Sequence, residues 1–505
     1  MSDWQRIPDM LFNSLIFLYL FLPLTLALVF IVPGRFKNSA SLVASLVFYA
    51  WGGVSYTGVL AVSILLNYFS GRCIERSPSI KSRKAWFSAG LVLNLLLLIV
   101  FKYTHFVLEN LNVLSGLFGW SPVVVNDFIL PLGISFYTFK AISYLITVKR
   151  QETPAEKNLI NFALYLSMFP QVMAGPIDRY KTLAGQIHQR TVNLEQFASG
   201  IRRFSLGLFK KVVIASPMAY VADAIFKVPF SQLSLPLTWL GAICFTLQIY
   251  YDFSGYTDMA IGLGRMLGFT FTENFNFPYI SRSIGEFWKR WHITLSTWLR
   301  DYLFLPLAYS GSRKLSKNMY FRIKTDQILY IYASLITFLV CGIWHGAAWN
   351  FVIWGLIQGV LISFERTRPW KWLNTHSRPL THLYFLFFVI LSMVFFRAGS
   401  LPDALRYISV MIGLKSQPMI WNKMLEFMNL EFIVVGILAV LGSTPFFLYL
   451  LRFLNQKIKK DNALLARLSF QGYQLSSILL VFVFLTISSI YLISKTHTPF
   501  IYFRF

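Results

Sequence analysis

The sequence is poor in charged residues and in cysteine, and each shortage excludes a class of protein. Charged residues make up 13% of the 505 positions, which is about half the usual share of a soluble domain. Three widely separated cysteines indicate neither a disulfide framework nor a Cys/His metal site, so we expect no metal. Hydrophobic residues reach 56%, with 49 phenylalanines. This composition predicts a polytopic membrane protein.

Acidic residues are also scarce, since 21 Asp and Glu face 46 Lys and Arg, for a net charge of +25. In a soluble protein this excess would suggest nucleic acid as a partner. Here the basic residues lie in loops between apolar runs, where they set topology and contact anionic membrane lipids. We therefore expect lipid contacts and no nucleic acid.

Strand-length segments of alternating polarity are also lacking, which favours an all-α membrane protein over a barrel. Several apolar runs are short or interrupted by Gly and Pro, as half-spans or re-entrant pieces are. We expect about 11 to 14 spans or half-spans in a single membrane domain, 1–505. The candidate segments are 11–32, 39–53, 55–70, 85–103, 128–147, 159–176, 205–226, 235–268, 286–307, 327–343, 347–364, 380–396, 431–451 and 473–494.

Basic clusters predict the orientation of the chain. The run 11–32 is too long for a signal peptide and reads as a retained first span. Placing Arg35 and Lys37, the stretch 72–84, and Lys149 with Arg150 in the cytoplasm requires an outside N-terminus and an outer segment around 104–126. The stretch 194–211 alternates basic and apolar residues, which predicts an interfacial amphipathic helix.

Two carboxylates interrupt the apolar segment 235–268. Asp252 and Asp258 are about 240° apart on a helix, so they do not share a face. Either each is hydrogen-bonded within the helix bundle, or one of them orients a catalytic or substrate group. Gly262, Gly264 and Gly268 lack dinucleotide-binding spacing and indicate close helix packing.

The segment 286–307 permits two interpretations. Trp288, Trp291 and Trp298 could form an aromatic belt at the membrane surface. Alternatively, residues at i, i+4 and i+8 form one polar stripe that lines a cavity for an anionic cofactor. This stripe comprises His292, Ser296 and Arg300.

Asn274 and Asn276 precede that segment, around a natural break at Pro278. Further along, His345 is flanked by apolar sequence on both sides. Placing a charged side chain at membrane depth costs about 2.5 kcal/mol or more of free energy. A neutral imidazole, with an ordinary pKa of about 6.5, can accept a proton without carrying that cost in its resting state. His345 is therefore either a hydrogen-bonded core residue or a catalytic base.

The motifs together resemble the membrane-bound O-acyltransferase family, in particular its bacterial branch for O-acetylation of exopolysaccharides and cell-wall glycans. The resemblance covers essentially the whole chain. The matching sequence motifs are Gly175-Pro-Ile-Asp178, Tyr251-Asp-Phe-Ser-Gly-Tyr256, Glu273-Asn-Phe-Asn276, Pro278-Tyr-Ile-Ser-Arg282, Trp291-His-Ile-Thr-Leu-Ser-Thr-Trp298, Gly342-Ile-Trp-His-Gly-Ala-Ala-Trp349, Phe395-Phe-Arg397 and Pro499-Phe-Ile-Tyr-Phe503.

The resemblance implies a fold and a site. The fold would be a helical ring around a central transmembrane tunnel, with short re-entrant or interfacial helices and a catalytic core at about 160–400. The hallmark histidine maps to His345, which would act as general base, and the second polar position maps to His292. Orienting or tunnel residues would be Asn274, Asp252, Ser296, Trp344 and Arg397. Arg282, Lys289 and Arg290 would attract the phosphates of the donor, although lipid anchoring explains them equally well.

The resemblance also implies a reaction. Acetyl-CoA would supply acetyl from the cytoplasm, and the group would cross the bacterial inner membrane to O-acetylate a polysaccharide or glycan such as alginate, cellulose or peptidoglycan. A periplasmic esterase-type partner, SGNH-like, would deliver it. Two alternatives stay open: D-alanyl or lipid O-acyl transfer, and a proton-coupled transporter or polymer exporter with Asp252, Asp258 and His345 as relay. The chain shows no internal symmetry of the kind that transporters have.

Overall fold

The computed structural model describes residues 11–124, 130–315, 318–320, 323–414, 417–418, 424–458 and 463–494. The N-terminal residue, on which the predicted orientation depends, and the word Pro499–Phe503 lie outside these residues. Helices dominate the described chain, and its two short strands, β1 (Met319–Tyr320) and β2 (Ile323–Lys324), form an antiparallel hairpin.

The first part of the chain, up to residue 266, folds into twelve α-helices among the described residues. They are α1 (Leu22–Ile31), α2 (Lys37–Trp51), α3 (Val54–Arg76), α4 (Ile80–Leu98), α5 (Thr104–Gly116), α6 (Ile134–Lys149), α7 (Leu159–Ser167), α8 (Phe169–Val172), α9 (Tyr180–His188), α10 (Leu194–Phe209), α11 (Ser216–Phe226) and α12 (Leu235–Met266).

The remaining described residues contain shorter helices first and then longer ones. They are α13 (Ile284–Phe287), α14 (Ile293–Leu299), α15 (Leu305–Ser312), α16 (Thr325–His345), α17 (Trp349–Phe364), α18 (Arg368–His376), α19 (Arg378–Arg397), α20 (Leu401–Met411), α21 (Leu430–Gly442), α22 (Phe446–Ile458) and α23 (Ala463–Ile493). Wider π-helical turns occur at Phe17–Phe21, Ile99–Tyr103, Lys210–Ala215 and Arg300–Phe304, and 3-10 turns at Gly34–Phe36, Phe230–Gln232 and Pro278–Ile280.

Six helices within the described residues are long and apolar enough to cross a membrane, and a seventh span results if α21 and α22, bent by 74°, are counted as one. A membrane crossing needs about 20 apolar residues, and several of the predicted segments form shorter helices instead. The prediction of an all-α, multi-pass membrane protein is confirmed. The six helices are Val54–Arg76, Ile80–Gly116, Leu194–Phe226, Thr325–His345, Arg378–Arg397 and Gln474–Ile493.

The chain divides into two compact units. One comprises the chain up to Phe204 together with Met259–Thr272, and the other comprises Ser205–Asp258 and the chain from Glu273 onward. In the first unit, buried rings of Phe12, Phe17, Phe48 and Phe169 pack at centroid distances of 5.0 to 6.4 Å. Such contacts stabilise beyond the area they bury.

A buried polar chain crosses the first unit. The ammonium group of Lys140, which is 1% exposed, donates to the side-chain oxygen of Gln171 at 2.8 Å, and the amide of Gln171 donates to Asp178 at 2.7 Å. Asp178 also accepts from the hydroxyl of Thr272. Each charge therefore has hydrogen-bonding partners, which burial requires. This series of hydrogen bonds gives the Gly175–Asp178 motif a structural role.

The second unit contains a tight helical hairpin of α16 and α17. A Cβ atom on Gly342 would lie 2.3 Å from the carbonyl oxygen of Phe351, and one on Gly355 would lie 2.2 Å from that of Phe338. Only glycine permits this approach, as in other membrane helix pairs where small residues bring backbones together. The hairpin places the C-terminal end of α16 beside the start of α17.

The predicted interfacial helix 194–211 is wrong in its extent and in its environment. The structure continues it through a π-helical turn as a single helix, Leu194–Phe226. Lys211 is 2% exposed and pairs with Asp252, so its charge faces protein and not lipid. The predicted span 85–103 likewise lies within a longer helix, Ile80–Gly116, which occupies part of the predicted outer segment.

Candidate active site

His345 is the last residue of α16 and is 4% exposed. The next residue, Gly346, has an extended backbone conformation and ends the helix. A Cβ on Gly346 would lie 2.2 Å from the ring of Phe351. The two glycines Gly342 and Gly346 therefore make room for the turn that holds the imidazole at the end of the hairpin.

Aromatic rings surround the His345 imidazole. Its centroid lies 4.7 Å from that of Trp344, 5.2 Å from that of Trp354 and 5.1 Å from that of Phe396. The Trp354 ring is nearly perpendicular to the imidazole, at 87°. Such packing fixes the orientation of the ring and places it in an apolar environment, which favours the neutral, proton-accepting form.

His292 has a left-handed backbone, with φ 43° and ψ 54°, and directly precedes α14. This region is uncommon for residues other than glycine, although histidine is among those enriched there. The imidazole is fully buried, and its ring packs edge-on against Phe253 at 4.8 Å. A strained backbone held by surrounding packing is a frequent property of functional sites.

Asn274 holds the His292 ring and the start of α14 with one oxygen atom. Its side-chain oxygen lies 3.1 Å from Nδ1 of His292, and it accepts the backbone N–H of Thr294 at 3.1 Å and the Thr294 hydroxyl at 2.9 Å. Because a backbone N–H only donates, the Asn274 atom facing it is the oxygen. Nδ1 of His292 therefore carries the proton, and Nε2 carries the lone pair.

The indole ring of Trp344 lies close to the imidazoles of both histidines. Its centroid lies 6.3 Å from that of His292 and 4.7 Å from that of His345, and its side chain is buried. The structure thus brings together His292, Trp344 and His345, three residues singled out from the sequence. Two neutral imidazoles in one apolar site can exchange protons with a reacting hydroxyl and orient a carbonyl group.

The segment that carries His292 is fastened to α17. The indole N–H of Trp288 donates to the side-chain oxygen of Gln358 at 3.1 Å. The carboxylate of Glu365 accepts the backbone N–H of Ile284 and, at 2.9 Å, that of Gly285. These contacts tie the short helix α13, which precedes His292, to the hairpin that bears His345.

Two predictions about this segment are wrong. The polar stripe fails because His292 is not helical and Arg300 begins a π-helical turn with its exposed guanidinium on Asp301 at 2.7 Å. Ser296 alone lies within α14, where its hydroxyl donates to the carbonyl of Trp291 at 3.2 Å. The aromatic belt also fails, since the following tryptophans are buried in the protein: Trp288, Trp291 and Trp298.

The two carboxylates of α12 are both paired with lysines. Asp252 pairs with Lys211, and both side chains are almost fully buried; Asp258 pairs with Lys210 at 2.7 Å. The two lysines are consecutive residues of one π-helical turn, Lys210–Ala215, so both carboxylates are paired within the protein. Asp252 directly precedes Phe253, whose ring contacts His292. Its orienting role stays a prediction.

The remaining predicted residues are charged side chains that form ion pairs or are exposed. Arg397 forms an ion pair with Asp223 at 2.7 Å and stacks on Phe226. Arg290 pairs with Glu286 at 3.0 Å. Arg282 and Lys289 are exposed. A role for Arg282, Lys289 and Arg290 in binding donor phosphates stays a prediction.

Sequence reasoning missed two buried residues of α17, of which Trp354 contacts His345. Asn350 is 4% exposed, and its amide donates to the carbonyl of Phe395 at 2.9 Å. Trp354 is 2% exposed and packs on the His345 ring. The available signal was their spacing of four residues in an otherwise apolar helix, which places both on one face.

Comparison with known proteins shows the family of this chain. The model of the membrane-bound O-acyltransferase family matches residues 101–401. The probable alginate O-acetylase AlgI of Azotobacter vinelandii is 43% identical over 408 residues, 80% of this chain and 78% of the relative. That of Pseudomonas aeruginosa is 41% identical over 456 residues, 89% and 83% of the two chains. The peptidoglycan O-acetyltransferase of Helicobacter pylori is 36% identical over 448 residues, 81% of each.

Fold and site together define a multi-pass membrane enzyme with two buried histidines. The chain belongs to the membrane-bound O-acyltransferase family, and it is an acyltransferase. The resemblance found in the motifs is thereby confirmed. Both histidines lie within the part of the chain that the family model matches.

Proposed function

We propose that this enzyme transfers an acetyl group from acetyl-CoA to a hydroxyl group, for O-acetylation of an exopolysaccharide or cell-wall glycan such as alginate, cellulose or peptidoglycan. The observation that carries the proposal is that the ring of Trp344 lies close to both buried imidazoles, those of His292 and His345. The named activities of the relatives in Azotobacter, Pseudomonas and Helicobacter support acetyl as the group and a glycan as the acceptor.

The reaction follows from the chemistry of the two imidazoles. His345 accepts the proton of the acceptor hydroxyl, whose oxygen attacks the thioester carbonyl and forms a C–O bond. The tetrahedral intermediate then collapses, the C–S bond breaks, and the leaving thiolate takes the proton from His345. His292, whose Nε2 carries a lone pair, orients the acceptor by accepting a hydrogen bond from another of its hydroxyl groups, since the attacking hydroxyl has only the one proton that His345 takes.

The donor enters from the cytoplasm, where acetyl-CoA is made, and the acceptor lies on the periplasmic side of the inner membrane. A tunnel through a ring of helices lets the acetyl group cross while the protein stays in place. The chain starts outside, and a periplasmic SGNH-type esterase partner passes the group to the polymer. The family membership and the multi-pass fold support this arrangement.

Turnover by the purified enzyme tests the proposal. The full chain is reconstituted in lipid nanodiscs with radiolabelled acetyl-CoA, and thiol release and label transfer to alginate, cellulose and peptidoglycan oligomers are measured. We expect acetyl-CoA turnover, and a loss of about 10³-fold in His345→Ala. His376→Ala is the matched control, because His376 is exposed and bonds only to the carbonyl of Trp372 among the contacts seen.

Three outcomes would count against the proposal. No turnover of acetyl-CoA by the wild-type chain would reject the donor, and D-alanyl transfer would then be measured with a D-alanyl thioester. Full activity in His345→Ala would reject His345 as the base. A proton-driven flux of polymer without any acyl transfer would favour the exporter.

Donor phosphate binding has its own test. If Arg282, Lys289 and Arg290 attract the phosphates of coenzyme A, neutral substitutions raise KM for acetyl-CoA and leave KM for S-acetyl-pantetheine, which lacks the nucleotide, unchanged. An equal rise for both thioesters would assign these side chains to folding or lipid contact.

A further inference from the structure

The indole N–H of Trp354 is a buried donor without an acceptor. The side chain is 2% exposed, and no atom of the described residues accepts a hydrogen bond from its Nε1. Buried indole N–H groups usually have partners. Two other tryptophans of the second unit follow that rule, since Trp288 donates to Gln358 at 3.1 Å and Trp239 donates to the carbonyl of Met411 at 2.9 Å.

Packing determines the position of this donor. The Trp354 ring lies 5.2 Å from that of His345, 4.7 Å from that of Phe396 and 5.9 Å from that of Trp288, in edge-to-face arrangements with all three. Rings held on three sides have little freedom to turn. The unused N–H is therefore a fixed feature of the surroundings of His345.

A second polar atom on the same face of α17 is also without a partner. Asn350 precedes Trp354 by one helical turn, a rise of about 6 Å. Its amide nitrogen donates to the carbonyl of Phe395, whereas its side-chain oxygen accepts no hydrogen bond from the described residues. A buried donor and a buried acceptor, both unused and both on the face of α17 whose Trp354 contacts His345, point to a polar ligand at this face.

We propose that Trp354 is a further catalytic residue, whose Nε1–H donates a hydrogen bond to the carbonyl oxygen of the thioester. The inference rests on the proposed acyl transfer. When the acceptor oxygen bonds to the carbonyl carbon, His345 takes the hydroxyl proton and the carbonyl π electrons move to oxygen. The negative charge that develops there is stabilised by a donor that is already in place and shielded from water. On collapse the C=O bond forms again and the thiolate leaves.

The decisive variant removes the N–H and keeps the ring. Replacing Trp354 by the isostere 3-benzothienylalanine substitutes sulfur for the N–H group at nearly equal volume, and Trp354→Phe is the simpler second variant. Acetyl-CoA turnover is measured with the full chain in nanodiscs. We expect kcat to fall by about 10²- to 10³-fold, as for loss of one oxyanion donor, with KM for acetyl-CoA changed by less than about threefold.

The same replacement at Trp239 is the matched control, since its N–H is used by Met411 and has no catalytic role. It should lower thermal stability and leave kcat unchanged. An unchanged kcat in the Trp354 isostere would overturn the assignment, and so would a fall in kcat that the Trp239 isostere shares. Failure of the proposed function is distinguishable, because the wild-type chain would then turn over no acetyl-CoA at all.

Discussion

The side-chain oxygen of Asn274 lies 3.1 Å from Nδ1 of His292 and determines the tautomer of that imidazole. The same oxygen accepts the backbone N–H of Thr294, so the amide cannot be turned without losing a bond. Because Nδ1 carries the proton, the lone pair of His292 is on Nε2. The family resemblance implied Asn274 as an orienting or tunnel residue, and the structure shows that its side-chain oxygen bonds to His292.

Substitution of Asn274 should therefore act through His292. Asn274→Leu, similar in volume but without an acceptor, releases Nδ1 and allows the other tautomer; we expect kcat to fall about 10²-fold. Asn274→Asp keeps an acceptor for Nδ1–H and should retain activity within about tenfold of wild type. Acetyl-CoA turnover measures both. Thr294→Val is the control, since it removes one donor to Asn274 and leaves the His292 contact; equal losses in Leu and Asp variants would refute the tautomer role.

The buried pair of Lys211 and Asp252 should couple strongly in stability. Lys211→Met leaves a carboxylate that is 2% exposed without its cation, which costs about 3 to 5 kcal/mol. The double variant Lys211→Met/Asp252→Leu removes both charges and should recover most of that loss. Thermal unfolding in detergent compares four proteins: the wild type, Lys211→Met, Asp252→Leu and the double variant.

An exposed ion pair serves as the control for the buried pair of Lys211 and Asp252. Arg150 and Glu152 lie 3.5 Å apart with side chains 46% and 33% exposed, so Arg150→Met should cost less than about 1 kcal/mol. If the losses of the two single variants at Lys211 and Asp252 simply add in the double variant, the pair is not coupled and the burial argument fails.

The motifs indicated which residues lie in the candidate site better than they indicated its geometry. His345 and His292 were singled out because of the sequence motifs around them. The all-α membrane fold was predicted from the composition. The polar stripe was wrong because one positive φ angle at His292 ends helical periodicity, and no periodic pattern reveals such an angle. Lys211 was assigned to the lipid interface because only the packing of the π-helical turn Lys210–Ala215 against α12 shows that Lys211 pairs with Asp252.

The glycine contact within the hairpin should be sensitive to a single methyl group. In Gly355→Ala the new Cβ would lie 2.2 Å from the carbonyl oxygen of Phe338, so α16 and α17 must separate and carry His345 away from Trp354. Overpacking of this kind costs about 1 to 3 kcal/mol. We expect lower thermal stability together with reduced acetyl-CoA turnover. Gly436→Ala, on α21, has no atom within 4 Å of its new Cβ and should be as stable as wild type or slightly more so.

Glu365 should make stability depend on pH near neutrality. Burial raises the pKa of its carboxyl group to about 7, above the ordinary value of about 4.3, although the N–H groups of Ile284 and Gly285 oppose the shift. Since the folded protein holds this proton more tightly than the unfolded chain, the stabilisation is complete below about pH 4.3 and is lost as the pH rises through about 7. The melting temperature of wild type should therefore fall between pH 5 and 8 relative to that of Glu365→Gln, which cannot ionise. Parallel pH profiles for the two proteins would show that this carboxyl group does not titrate in that range, and that the two N–H groups hold it ionised throughout.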